Sequence, residues 1–264
     1  MHDTLQSNRM ELKFRITEPV AAEIKRYLGA TLQRDPNGVN HGPAGYPVCS
    51  VYLDSKKSCL YGQSIAGERN RFKLRVRVYD ADPNGPAFVE IKRRDSQVIK
   101  KQRAKVSRDV AVAILQGAPH SLATARANGS WSQRDWQAMQ EFCRLRDGIR
   151  ASGTTYVSYL RDAYVSPASL HWRLTFDRGL GASKYRRGEA ISIPDDCIPA
   201  RGHNAVILEL KFTDRFPDWM YEVAQLFNLQ RISVPKYVMC VDALGVYRAN
   251  ERPSEFQAVS NRKF

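Results

Sequence analysis

Long apolar runs are missing from this chain. No stretch approaches the about 20 consecutive apolar residues of a membrane span, and the opening MHDTLQSNRM lacks the apolar core of a signal peptide. A cytoplasmic protein is the expectation. Paired cysteines are missing too: Cys49, Cys59, Cys143, Cys197 and Cys240 are scattered, odd in number and form no C-x-x-C. That pattern excludes a disulfide framework and a cysteine zinc site, and reads as reduced thiols. His2, His41, His120, His171 and His203 are equally dispersed, with no legible Ser/His/Asp or Cys/His arrangement. Acids are scarce as well: 27 Asp and Glu stand against 41 Lys and Arg, for a net charge of +14. Such an excess gives a positive field over much of the surface, suited to nucleic acid, an anionic membrane or a phosphate-rich polymer.

The cations are arranged in a pattern. Arg71, Lys73, Arg75 and Arg77 fall at alternate positions of RFKLRVRVY. Glu90, Lys92 and Arg94 repeat the spacing in FVEIKRR, and Lys101, Arg103 and Lys105 repeat it in KKQRAKV. Successive strand side chains point to opposite faces, so each run puts its charges on one face and its apolar residues on the other. Like charges opposite one another on paired strands destabilise a sheet. Three such strands side by side imply a polyanion to hold.

Taken in order, MELKFRI (10–16) alternates as a strand, and Thr17 with Pro19 opens a helix to about Leu28. The stretch 33–46 holds turn formers and reads as a loop. VCSVYLD (48–54) is the next strand, and the turn at ADPNGPA makes 71–79 and 87–94 a hairpin, followed by the strand 98–106. Ser107 and Ser132 cap helices in an insertion over about 107–152. Strands then resume at 155–161, 170–177 and 206–212, with a weaker one at 190–193. Helices close the chain, one over FPDWMYEVAQLFN capped by Thr213 or Asp214 and one over Lys236–Leu244, before a polar tail from about 252 to 264. The expectation is a single α+β domain spanning 1–264. It has about eight mostly antiparallel strands with flanking helices, closed on themselves into a tunnel to remove their edges.

Glu11-x-Lys13, Glu90-x-Lys92 and Glu209-x-Lys211 each set one carboxylate on the same strand face as a lysine. Singly, each reads as a charge-balancing pair on a solvated strand. Three of them beside basic runs point to a shared lumen that holds phosphates and a divalent cation, which needs only one or two carboxylates in addition to phosphate oxygens. Arg161, Arg173 and Lys211 sit on strands compatible with that lumen, and Lys236 opens the last helix, where the dipole disfavours a cation. Tyr52, Tyr61, Phe72, Tyr79, Tyr156, Tyr159 and Trp172 read as core rather than as base-stacking platforms.

The ordered set ELKFR, SVYLDS, KLRVRVY, VEIKRR, KKQRAKV, YLRDAY, RLTFDR, ILELKF and PKYV, spanning about residues 9–245, resembles the VTC domain. This is the polyphosphate polymerase domain of the vacuolar transporter chaperone complex and its bacterial relatives, in the CYTH/triphosphate tunnel metalloenzyme superfamily. The resemblance implies an antiparallel β-tunnel binding triphosphate or polyphosphate with Mn²⁺ or Mg²⁺. By it, Lys13, Arg75, Arg77, Lys92, Arg161, Arg173 and Lys211 match phosphate-gripping, catalytic cations. Lys101, Arg103 and Lys236 extend the grip on substrate, joined by Arg71 and Lys73 of the same basic strand. Glu209 matches the metal-binding acid, with Glu11 as its partner. The superfamily's hydrolases begin with E-x-E-x-K, whereas here Arg9 takes the first position, which disfavours a triphosphatase. Pro235 stands where related sequences often carry serine.

The expected activity is therefore metal-dependent transfer of the ATP γ-phosphoryl to a polyphosphate chain, with ATP and polyphosphate as partners and no specific nucleic acid. A triphosphatase on the same tunnel, or a non-catalytic module binding polyphosphate or nucleic acid, are the alternatives.

Overall fold

The computed structural model describes residues 9–29, 31–39, 42, 45–96, 98–117, 131–167, 169–213 and 216–245. The expected polar tail, the middle of the helical insertion (118–130) and the proposed cap Asp214 lie outside them. The chain runs β1 (Arg9–Ile16), α1 (Glu18–Leu28), β2 (Gln33–Arg34), α2 (Pro36–Val39), β3 (Tyr46–Asp54), α3 (Cys59–Ile65) and β4 (Asn70–Val78). It continues through β5 (Ala87–Asp95), β6 (Val98–Val106), α4 (Arg108–Leu115), α5 (Gln133–Gly148), β7 (Ser152–Ser166) and β8 (Ser169–Lys184). The last elements are β9 (Ile198–Pro199), β10 (Val206–Thr213), α6 (Asp218–Leu226) and α7 (Lys236–Ala243).

The architecture is α+β with a 10-stranded sheet in the order β1-β10-β8-β7-β3-β4-β5-β6, β2 adding to β7 and β9 to β8. The strand pairs whose registers are defined are antiparallel. Closure, however, does not follow: β1 and β6 end the order, and no pairing among the described residues joins them. A physical reason is visible at β1. Phe14 bridges Arg231, and the Ile232 N–H donates to the Lys13 carbonyl at 2.8 Å, so the outer edge of β1 is already covered by chain rather than offered to a strand. Residues 190–193, expected as a weak strand, form none; the short strand falls at β9 instead.

Chain contacts divide the molecule into two compact units. The first comprises Met1–Pro47, Tyr159–Leu180 and Gly202–Val234, the second Val48–Ser158, Gly181–Arg201 and Pro235–Phe264. In the first, Phe14 and Ile16, Leu174 and Phe176, and Leu208 and Leu210 turn one sheet face toward Ala21, Ile24 and Leu28 of α1 and Met220 and Val223 of α6. In the second, Leu74, Val76, Val78, Val89, Ile91, Ala104 and Val106 bury against Val110, Ile114 and Leu115 of α4 and Met139 and Phe142 of α5.

The insertion thus has a packing reason. Its helices cover the apolar face of the three basic strands, and burying those side chains contributes about 25 cal/mol per Å² of apolar surface. Both helices start as the sequence indicates: the Ser107 hydroxyl accepts from the Val110 N–H and the Ser132 hydroxyl from the Asp135 N–H. With one face of each strand committed to core, period-two alternation places Arg71, Lys73, Arg75, Arg77, Lys92, Arg94, Lys101, Arg103 and Lys105 on the other. Arg93 and Lys100 fall on the helix-covered face, where Arg93 pairs with Glu141 of α5 at 2.6 Å.

Candidate functional site

The basic strands of the second unit stack their charges in rows. Lys73, Lys92 and Lys101 stand side by side across β4, β5 and β6. The next row is Tyr52, Arg75, Glu90 and Arg103, and the one after begins Ser50, Arg77 and Phe88. Three adjacent lysines repel; the neighbouring row supplies the counter-charge. Glu90 is 1% exposed and is ringed by Arg75 at 2.6 Å, Lys101 at 2.7 Å, Arg103 at 3.6 Å and Arg77 at 3.9 Å. Burial pushes its carboxyl up, but the surrounding cations outweigh burial and hold it well below the usual carboxylate range.

Around that hub the cations are braced. Arg75 donates to the Tyr52 hydroxyl at 2.8 Å, and Arg77 donates through Nε to the Ser50 hydroxyl at 3.0 Å. Tyr52 stacks on Tyr237 with ring centroids 4.7 Å apart, and the Tyr237 hydroxyl donates to Asp54 at 2.7 Å. The Lys73 ammonium lies 5.8 Å from the Tyr237 ring centroid. Burial brings that ammonium down to about 8. Burial alone would raise the Tyr52 phenol, yet Arg75, Lys73 and Arg77 together bring it down to about 8.

The first unit carries its own charged face. One row is Lys13, Glu209 and Thr175 across β1, β10 and β8; the next is Glu11, Lys211 and Arg173. Buried Glu209 is contacted by Lys13 at 2.8 Å, Lys211 at 2.8 Å and Arg161 at 3.6 Å. Lys13 also pairs with Glu11. Arg161 makes two bonds to Asp177, each 2.7 Å, in the fork geometry that suits a guanidinium and a carboxylate. Arg173 pairs with buried Asp35 and lies 3.4 Å from the Tyr46 hydroxyl. Burial brings the Lys211 ammonium down to about 8.

The residues singled out from sequence therefore gather into two groups, each within one unit. Glu11, Lys13, Arg161, Glu209 and Lys211 form one cluster, with Arg173 beside Lys211 but turned to Asp35. Arg75, Arg77, Lys101 and Arg103 converge on Glu90, with Lys73 and Lys92 in the adjoining row. Arg71 stands apart at the start of β4, where it donates to the Glu68 carbonyl. Lys236 is the first residue of α7, directly after the cap Pro235.

Glu90, read as a charge-balancing partner of Lys92, is instead the hub of its unit. Tyr52 and Ser50 were legible in principle, because they alternate with Val51 and Leu53 in SVYL and so share the face of the cations they brace. Asp35 had no signal: it lies in the turn-rich QRDPNG.

Two residues of these faces could hold a divalent ion. Glu11 and Glu209, from neighbouring strands, both reach the Lys13 ammonium, so two carboxylates already converge on one cation. Hard cations bound with substrate phosphates need about one or two such oxygens from protein. Among the described residues no three His, Cys, Asp or Glu side chains gather into a metal cluster, so phosphate oxygens would have to complete the shell. Among the described residues, too, no helix is long and apolar enough to cross a membrane.

Comparison with known proteins places the chain. The VTC domain model matches residues 8–245. Among solved structures, a candidate adenylate cyclase of Bacillus halodurans is similar at 14% identity and a TM-score of 0.46, covering 86% of this chain and 93% of that one. A candidate adenylate cyclase of Vibrio parahaemolyticus is similar at 10% identity and a TM-score of 0.43, covering 88% and 97%. No curated protein matches. With the family match running through nearly all the described residues and both charged faces, this chain belongs to the VTC domain family.

Proposed function

We propose that the protein is a metal-dependent polyphosphate polymerase, which transfers the γ-phosphoryl group of ATP to the end of a polyphosphate chain and releases ADP. The observation that carries this reading is the lysine row Lys73–Lys92–Lys101 beside the Glu90 hub. A sheet that lines up three ammonium groups and gathers one of them, Lys101, with Arg75, Arg77 and Arg103 around one buried acid is suited to receive several phosphates at once.

In this reading Arg75, Arg77, Lys92, Lys101 and Arg103 hold phosphates in place, with Lys73, Arg71 and Lys236 extending the grip. Lys13, Arg161, Arg173 and Lys211 do the same on the other face. Phosphoryl transfer asks little covalent work of a protein; positioning and neutralisation of charge on the transferring group carry it. Glu209, with Glu11, would hold Mn²⁺ or Mg²⁺, and the ion would supply charge neutralisation on phosphate oxygens.

Polymerisation suits these faces better than hydrolysis. A polyphosphate end is an ionised nucleophile and needs no base, whereas attack by water does. Arg75, Arg77 and Lys101 hold the Glu90 carboxyl well below the usual carboxylate range, which leaves it too weak a base to take a proton from water. Glu209 likewise has its oxygens engaged by Lys13, Lys211 and Arg161.

The test is substitution in the row. Lys92→Ala and Arg75→Ala, compared with the parent protein in the presence of ATP and Mn²⁺, are expected to lose polymer synthesis while remaining folded. Undiminished synthesis in both would remove the basis of the proposal.

A further inference from the structure

Thr175 sits in the middle of β8, directly across from Glu209 on β10 and on the charged face, since Leu174 and Phe176 turn to the core. It is 0% exposed, and its hydroxyl is buried with no hydrogen-bond partner. Its neighbours on that face are engaged, Arg173 by Asp35 and Asp177 by Arg161. An unsatisfied buried hydroxyl costs stability that an apolar group of the same shape would not. At rest Glu209 has no need of it, because Lys13, Lys211 and Arg161 already surround the carboxylate.

Those three cations are the ones that phosphate would recruit. As they turn to substrate, Glu209 loses its partners, and the Thr175 hydroxyl is a neutral donor across the strand pair. Directly opposed residues have Cβ atoms about 4.5–5.5 Å apart, within reach of a glutamate side chain. We propose that Thr175 is a positioning residue, whose hydroxyl is left unpaired in the resting protein and donates to Glu209 in the phosphate-bound state, fixing the carboxylate toward a divalent ion. This inference rests on Glu209 as the metal-holding acid in the function proposed above.

Two readouts, neither of them turnover, test it. The unliganded melting temperature and Mn²⁺ binding in the presence of tripolyphosphate would be measured for the parent, Thr175→Val, Thr175→Ser and Glu209→Gln. Thr175→Val is expected to melt higher than the parent, because it removes an unsatisfied group, and to bind Mn²⁺ roughly tenfold more weakly, as when a partner of a metal ligand is lost. Thr175→Ser is expected to keep the parent's affinity.

A lower melting temperature for Thr175→Val would overturn the inference by showing that the hydroxyl is paired at rest. Unchanged Mn²⁺ affinity in Thr175→Val would overturn it by showing that the hydroxyl does not act on Glu209. Mn²⁺ binding that survives Glu209→Gln, or is absent from the parent, would strike down the metal site of the proposed function, and this inference with it.

Discussion

Arg75 and Glu90, paired at 2.6 Å on facing positions of β4 and β5, are the joint around which the second charged face is assembled. Glu90 is the acid that Arg75, Arg77, Lys101 and Arg103 share. Removing one partner from a buried ionic network leaves the others uncompensated, which typically costs about 3–5 kcal/mol.

Glu90→Gln should therefore melt well below the parent protein. Tripolyphosphate should recover more of that loss in Glu90→Gln than it adds to the parent, because an external anion replaces the missing internal one. Thermal unfolding with and without tripolyphosphate measures both effects. Equal ligand-induced shifts in the two proteins would show that the Glu90 cations are not where phosphate binds.

Lys92→Ala should separate function from folding. It removes one ammonium from a row of three like charges, so stability should hold or rise slightly. A charged hydrogen bond to phosphate contributes about 1.5–3 kcal/mol, so affinity for tripolyphosphate should fall by about 10- to 100-fold. Calorimetric titration checks the affinity, and a melt checks the fold.

Affinity should depend on pH through Lys73. Burial places this ammonium near 8, below the ordinary lysine value of 10.5. Unfolded chain therefore binds more protons than folded chain between about pH 8 and 10.5, and this group makes stability rise with pH across that window. Phosphate binding runs the other way, because it requires the charged form, so tripolyphosphate affinity should fall as pH rises through 8. Ionisation of Tyr52 in the same range acts in the same direction. Lys73→Arg, which keeps its charge, should reduce the slope of log affinity against pH by up to about one proton. An identical slope in parent and variant would remove Lys73 from the site.

Tyr52 also offers a direct spectroscopic check. Of the 12 tyrosines, this one should ionise near 8, with tyrosinate absorbance appearing well before the bulk transition near about 10. Tyr52→Phe should abolish the early step alone.

Much of this was legible in the chain because alternation is a local property. RFKLRVRVY, FVEIKRR and KKQRAKV announce their faces residue by residue, and the strands and the cation rows stand where that pattern puts them. What the pattern could not give is which residues meet from far apart. Asp35 reaches Arg173, 138 residues away, from a loop whose composition signals only turns. Glu90 looked like the partner of Lys92 two positions on; its four cations instead come from two other strands, and register, not spacing, sets that. Closure of the sheet follows from sequence only through the general need to hide edges, and the segment at Arg231 and Ile232 meets that need at β1 by other means.

Polymer synthesis is the most direct test of the proposed activity. The purified protein, incubated with ATP and Mn²⁺, should give a ladder of polyphosphate on a gel, with one ADP released for each phosphate incorporated. Orthophosphate without polymer would contradict the account and assign the charged faces to hydrolysis. Tight tripolyphosphate binding with neither product would contradict it as well, and make the protein a receptor.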